Sequence, residues 1–136
     1  MSGFVLDCSV AMSWCFEDEA APYTESVLDR LAGEEARVPA VWPLEVANVL
    51  LAAERRRRLT EAQSRRFVEL LSTLPIHVDE TTPARAMDGI LSLAREQRLS
   101  AYDAAYLELA MREGLPIATR DLPLTEAARR CGVPLL

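Results

Sequence analysis

Four acids, Asp7, Glu45, Asp103 and Asp121, stand where apolar segments end or helices begin. Asp7 follows the apolar run Gly3 to Leu6, and Asp121 follows the short run Pro116 to Ala118. Glu45 falls in the first turn of a helix opened by Pro43, and Asp103 comes three residues after Ser100. Each has a local explanation. Asp7 and Asp121 read as helix N-caps, Glu45 complements a helix dipole, and Ser100 to Asp103 is a variant capping box. They also have a joint explanation. In an open parallel sheet, the carboxyl end of a strand faces the amino end of the next helix, so two strand-end acids and two helix-start acids share one rim. Unit charges about 4 Å apart repel by about 4 kcal/mol at an effective dielectric of 20, so such a group needs a counter-charge. All-oxygen ligands select a hard divalent ion, Mg²⁺ or Mn²⁺, over zinc. Ser9, Asn48 and Thr119 lie beside these acids and are suited to orient a carboxylate or a water. Local backbone bonding is the alternative for the two hydroxyls.

The elements that would position them alternate. Phe4 to Leu6, Arg37 to Ala40, Pro75 to Val78, Pro116 to Ala118 and Val133 to Leu136 read as short strands. Between them, apolar residues recur at helical spacing. Val10 to Phe16 makes a turn or two. Tyr23, Val27, Leu28 and Leu31 form one stripe and Val46, Val49, Leu50 and Ala53 another. Thr60 with Gln63 caps a helix whose stripe is Phe67, Leu70, Leu71 and Leu74. Ala86, Met87, Ile90, Leu93 and Ala94 point inward from the next, and Ala104, Leu107 and Met111 from the one that Gly114 stops. Strands alternating with helices give the fold class α/β, an open parallel sheet covered by helices on both faces, with ligands at the carboxyl edge.

The chain has 136 residues, 50% of them hydrophobic, which is enough for one domain (1–136) with a real core and too little for two. No apolar run reaches membrane-spanning length and no export signal is read at the N-terminus, so a cytoplasmic protein is expected. Three cysteines without a CxxC pair suit reduced, buried thiols. The net charge of -6 argues against a protein that coats nucleic acid. Every basic residue is arginine, and Arg55 to Arg58 is a run of four that reads as a solvated helix end or a phosphate contact.

Other chemistries lack their residues. His77 is the single histidine, placed on a strand as a core or edge residue. No Cys/His set has zinc spacing, and there is no phosphate-binding glycine loop or nucleophile elbow. Trp14, Trp42 and Tyr106 read as packing residues, and Tyr102, next to Asp103, as a candidate substrate contact. A phosphoacceptor receiver domain would need a lysine, which the chain lacks, and a haloacid-type phosphatase a second aspartate where Ser9 stands.

Four blocks in order, Val-Leu-Asp-Cys-Ser, Pro-Leu-Glu-Val-Ala-Asn-Val-Leu, Ser-Ala-Tyr-Asp-Ala-Ala-Tyr-Leu and Ala-Thr-Arg-Asp, resemble PIN-domain proteins, and among them the VapC-type ribonuclease toxins of bacterial toxin–antitoxin pairs. The resemblance spans the whole chain. It implies five parallel strands in the order 3-2-1-4-5 and Mg²⁺- or Mn²⁺-dependent endonucleolytic cleavage of RNA. It also implies a homodimer, inhibited by a small VapB-like antitoxin. Position by position, Asp7, Glu45, Asp103 and Asp121 match the family's acidic quartet, Ser9 and Thr119 its polar accessory positions, and Asn48 a frequent asparagine. Two departures stand out: Cys8 after the first aspartate, and Leu122-Pro123-Leu124 where family members often carry a basic residue. The expected roles put Asp7 and Asp121 directly on the metal and Glu45 and Asp103 on it through water, with Glu45 or Asp103 as general base. In-line attack would leave 5′-phosphate and 3′-hydroxyl ends. The alternatives are a non-catalytic PIN-like binding module and an RNA-processing nuclease without an antitoxin.

Overall fold

A computed structural model describes residues 3–136. Four parallel strands, β1 (Gly3–Leu6), β2 (Glu35–Pro39), β3 (Ile76–Asp79) and β4 (Ile117–Ala118), form one sheet in the order β3-β2-β1-β4. The helices that flank it are α1 (Cys8–Ser13), α2 (Pro22–Arg30), α3 (Trp42–Arg55), α4 (Glu61–Ser72), α5 (Thr82–Arg85), α6 (Leu91–Gln97), α7 (Ala101–Glu113) and α8 (Leu122–Arg130). The expected fifth strand is reduced to a single parallel bridge, Ile117 with Leu135, on the open side of β4. There the Ile117 N–H donates to the Pro134 carbonyl and the Leu136 N–H donates back to Ile117 O. Pro134 has no N–H to extend the ladder, so the order 3-2-1-4-5 survives as a direction of chain rather than as five full strands.

β1 is the central strand. Phe4, Val5 and Leu6 are all fully buried, the consecutive burial of a strand covered on both faces rather than the alternation of a half-exposed one. Thr60 and Gln63 exchange both capping-box bonds at the start of α4. Gly114 closes α7 at φ 66, a left-handed conformation that suits glycine, and turns the chain into β4. From Ala104 to Ala110 every residue of α7 is buried, as α7 packs on β1, β2, β4, α6 and α8.

Four residues expected inside are not. Leu70 and Met111 are 44% and 47% exposed, Met87 is 88% exposed, and Ala86 beside it is exposed too. Periodicity identifies a stripe, but burial also requires an element to face it, and the margins of the α4 and α7 stripes meet solvent. Met87 has a further cause. Residues Ala86–Ile90 form a π-helical turn between α5 and α6. The extra residue per turn rotates the helix, keeping Ile90 and Ala94 in the core while Met87 swings out. His77 lies on the edge strand β3, exposed, with Nε2 3.6 Å from Glu35 Oε1.

β3 is tied down by a charged network. Arg112 on α7 donates to Asp79 Oδ2 at 2.7 Å and to Glu108 Oε2 at 3.0 Å. The side chains of Asp79, Glu108 and Arg112 are only 8%, 10% and 18% exposed. Thr81 and Thr82 hydroxyls also donate to Asp79, and Thr82 Oγ1 accepts from the Ala40 N–H beyond β2.

Candidate active site

The register pairs Leu6 with Ala118, so the chain leaves β1 and β4 side by side and delivers Asp7 and Thr119 to the same rim. Asp7 sits at the N-cap position of α1 but makes no capping bond. Its Oδ2 instead accepts the Ser9 hydroxyl at 2.6 Å and the Thr119 hydroxyl at 2.8 Å. Each hydroxyl is itself fixed from the other side: Thr119 Oγ1 accepts the Asp121 N–H at 3.0 Å, and Ser9 Oγ accepts the Arg120 N–H at 3.1 Å. Two hydrogen bonds thus join Asp7 to the backbone of Asp121. The Asp121 side chain is a true N-cap, its Oδ2 accepting from Leu124 N at 3.0 Å.

The helix-start acids approach from α3 and α7. Glu45 stands in the first turn of α3, and its Oε1 accepts the Tyr106 hydroxyl from α7. Asp103 stands in the first turn of α7, where its N–H donates to Ser100 Oγ. Tyr106 is fully buried. From sequence it passed for packing, and nothing in its spacing announces a hydroxyl aimed at a residue 61 positions away. Ser9 and Thr119 reach the acids as expected. Asn48 is exposed and, among the described residues, has no hydrogen bond to any of them. Tyr102 is 61% exposed beside Asp103.

The electrostatics act on Asp7, Glu45 and Asp103. Burial pushes the Asp7 carboxyl up; the Ser9 and Thr119 hydroxyls oppose this and the charge of Asp121 adds to it. Burial raises Glu45, with the Tyr106 bond opposing and Asp7 and Asp103 reinforcing. Asp103 is pushed up to about 6 by burial and then by the charges of Asp121 and Asp7. The buried Cys8 thiol, burdened also by Glu45 and Asp7, is pushed up to about 12 and is no nucleophile. Asp7, Glu45 and Asp103, raised by burial and then by neighbouring carboxylates, mark a site short of positive charge.

Among the described residues, no three His, Cys, Asp or Glu side chains are already arranged to enclose an ion. The donor set nevertheless fits Mg²⁺ or Mn²⁺. It consists of carboxylates and hydroxyls without a thiolate or imidazole ligand, and Mg²⁺ keeps several waters and needs only one or two direct carboxylates. A larger groove lies elsewhere. A cavity of about 840 Å³ runs between α3 and α4, lined by Trp42, Val46, Leu50, Ser64, Val68 and Leu71 among others. Among the described residues, Trp42 Nε1 and Ser64 Oγ have no hydrogen-bond partner there, though both are buried.

The sequence profile of the PIN domain family matches residues 4–130. No curated protein sequence matches. Among solved structures, the fold is similar to PAE2754 from Pyrobaculum aerophilum, with a TM-score of 0.72 at 20% identity over 92% of this chain and 84% of that one. VapBC2 from Rickettsia felis, bound to a DNA fragment from its promoter, gives 0.72 at 9% identity over 99% and 98%. FitAcB from Neisseria gonorrhoeae gives 0.65 at 21% identity over 98% and 96%.

Proposed function

The chain belongs to the PIN-domain family, and from that membership we propose that it is a cytosolic, metal-dependent endoribonuclease. It works as a single domain and is the toxin of a type II toxin–antitoxin pair. The observation that carries the reading is the clasp on Asp7. Ser9 and Thr119 converge on one of its oxygens and draw Asp121 alongside, while Glu45 and Asp103 feel the same charges.

Asp7 and Asp121 would hold Mg²⁺ or Mn²⁺ directly, and Glu45 and Asp103 through water. Bound there, such an ion supplies a water of lowered pKa and offsets the phosphate's charge. Ser9 and Thr119 keep the Asp7 carboxylate in one orientation. Tyr106 holds Glu45 at the rim and, by donating to it, favours its ionised form. Glu45 or Asp103 takes the proton from the attacking water. The expected products carry 5′-phosphate and 3′-hydroxyl ends.

The groove between α3 and α4 is the surface we assign to the antitoxin. Its apolar walls and two unpartnered polar atoms suit an amphipathic segment with a polar group at the right turn. Structures of similar fold include a toxin–antitoxin complex from Klebsiella pneumoniae. The active form we propose is a homodimer, a matter for light scattering at micromolar concentration.

Incubating the purified chain with RNA and Mg²⁺ or Mn²⁺ tests the nuclease reading. Internal cuts that stop on chelation are expected; intact RNA under both metals would overturn it. A binding measurement free of activity accompanies it. Adding Mn²⁺ at about 100 times its dissociation constant should stabilise the fold by about 2.7 kcal/mol, because the ion relieves the repulsion among the acids. An unmoved melting temperature would mean that the acids do not bind it.

Tyr106→Phe removes one hydroxyl and leaves the ring in the core. Cleavage is expected to fall by roughly 10–100-fold, the usual cost of losing a group that orients a metal-site residue, with the far-UV spectrum unchanged. Wild-type rates in this variant would show that Glu45 needs no support from α7.

A further inference from the structure

Two smaller cavities sit end to end beside the acids. One, of about 390 Å³, is lined by Cys8, Ser9, Met12, Glu19, Val49 and Arg120. The next, of about 220 Å³, shares Met12, Glu19 and Val49 and continues past Asn48, Ala52 and Ala53 to Arg56 and Arg58. Together they make one groove with an apolar floor between α1 and α3, opening at one end onto Ser9, the hydroxyl that holds Asp7.

One face of α3 runs along this groove. Asn48, Val49, Ala52 and Ala53 line it, Arg56 stands at its end, and Glu45 lies one helical turn before Val49, so small residues fill the middle and an arginine the end. Arg56 follows Glu45 by eleven residues, about 16 Å of helical rise. The alanines keep the groove open between them.

The arginines of the groove differ in their balance of charge. Arg58 is neutralised: its Nη2 bonds Asp18 at 3.0 Å and lies 3.5 Å from Glu19, and its guanidinium stacks 4.3 Å from the Phe16 ring centroid. Among the described residues, Arg56 and Arg120 have no ion-pair partner. The Arg120 guanidinium meets only a neutral acceptor, the Glu19 carbonyl, at 3.1 Å. The dipole of α3 accounts for a cation at its end, but Arg55 already fills the last turn. No such account exists for Arg120, which directly precedes the N-terminus of α8, where a cation is disfavoured. In a chain of net charge -6, these two cations stand at the two ends of a groove that begins at Ser9, next to the acids, where a ligand of opposite charge can reach both.

We propose that this groove is the track of a single RNA strand, with Arg120 binding the phosphate next to the one that is cut and Arg56 a phosphate farther along. The inference rests on the nuclease reading and extends it to substrate contact. Cavities of a few hundred Å³ take a nucleotide or two of one strand and exclude a duplex. The floor of Met12 and Val49 accepts bases or riboses without hydrogen-bond readout, so the track contributes affinity and direction rather than sequence choice.

Binding of a fluorescent single-stranded oligoribonucleotide, measured against salt in an Asp7→Asn background, tests the track. Steady-state cleavage is followed in parallel on chains that keep Asp7. Each phosphate contact on a single strand contributes about 0.7 to the slope of log K against log salt. Arg56→Ala and Arg120→Ala should each lower the slope by about 0.7, and the double variant by about 1.4. Arg56→Ala should raise KM several-fold with kcat retained, Arg56→Lys should restore the slope, and Arg95→Ala, an exposed charge away from the groove, should change neither. Slopes and KM values equal to wild type in both alanine variants, with cleavage intact, overturn the track and leave the nuclease standing. Wild type that neither binds nor cuts RNA overturns both.

Discussion

Replacing Asp7 with asparagine is expected to abolish cleavage and to make the fold more stable. The Asp7 carboxyl is 5% exposed and is driven up by burial and by Asp121. Its ionised form is therefore disfavoured in the folded chain, and at neutral pH the fold carries that cost. An asparagine oxygen can still accept the Ser9 and Thr119 hydroxyls, so the clasp survives while the charge goes. Each kcal/mol of burial cost and repulsion removed should raise the melting temperature by roughly 4 °C in a chain of this size. Cleavage should fall by more than the roughly 10–100-fold that loss of an outer orienting group costs, because Asp7 is assigned to the ion itself. The two effects have opposite signs, the pattern of a site selected for reactivity at the expense of stability. An asparagine variant that melts lower, or that cuts RNA as fast as wild type, would show that the Asp7 charge is structural.

The second large effect lies away from the acids. Arg112→Ala is expected to destabilise the chain by about 3–5 kcal/mol, since it strands the Asp79 carboxylate without its cation and leaves Glu108 only the longer contact with Arg85 at 4.0 Å. Burial alone would push Asp79 up, but the bonds from Arg112, Thr82 and Thr81 outweigh it and hold its carboxyl at about 2. A carboxyl held below its ordinary value of 3.8 contributes stability that is present above that pH and is lost as pH falls towards 2. Wild type should therefore lose about 2 kcal/mol between pH 4 and pH 2 from this group, and the alanine variant should lose little of that. Denaturant titrations at neutral pH and across the acid range read both. A cost under about 1 kcal/mol at neutral pH would place the network with exposed ion pairs.

Legibility from sequence divided along physical lines. The clustering of Asp7 and Asp121 was readable because both follow short apolar strands, and parallel neighbours end at the same rim. The capping box at Thr60 was readable because its geometry is local. Asp7 as a cap was the local reading, and it fails because Oδ2 finds Thr119, 112 residues away, in place of a backbone N–H. Arg112 with Glu108 is visible as a helical pair, but its stronger bond, to Asp79, crosses 33 residues. Tyr106 belongs to the same class. Helical periodicity placed Leu70, Met87 and Met111 inward because it gives the stripe and not the element that covers it.

The Thr119 clasp has a consequence for biosynthesis. Asp7 emerges from the ribosome first, but the hydroxyl that orients it and the aspartate beside it come more than a hundred residues later. At cellular elongation rates that interval is on the order of ten seconds. Until β4 inserts beside β1, the central strand has an open edge and the acids cannot assemble. A nascent chain thus carries Asp7 without its orienting hydroxyl until β4 is in place, so whatever chemistry the rim performs starts only when the sheet is complete. Contacts this distant in sequence also form slowly, so refolding should recover helix content well before it recovers the rim.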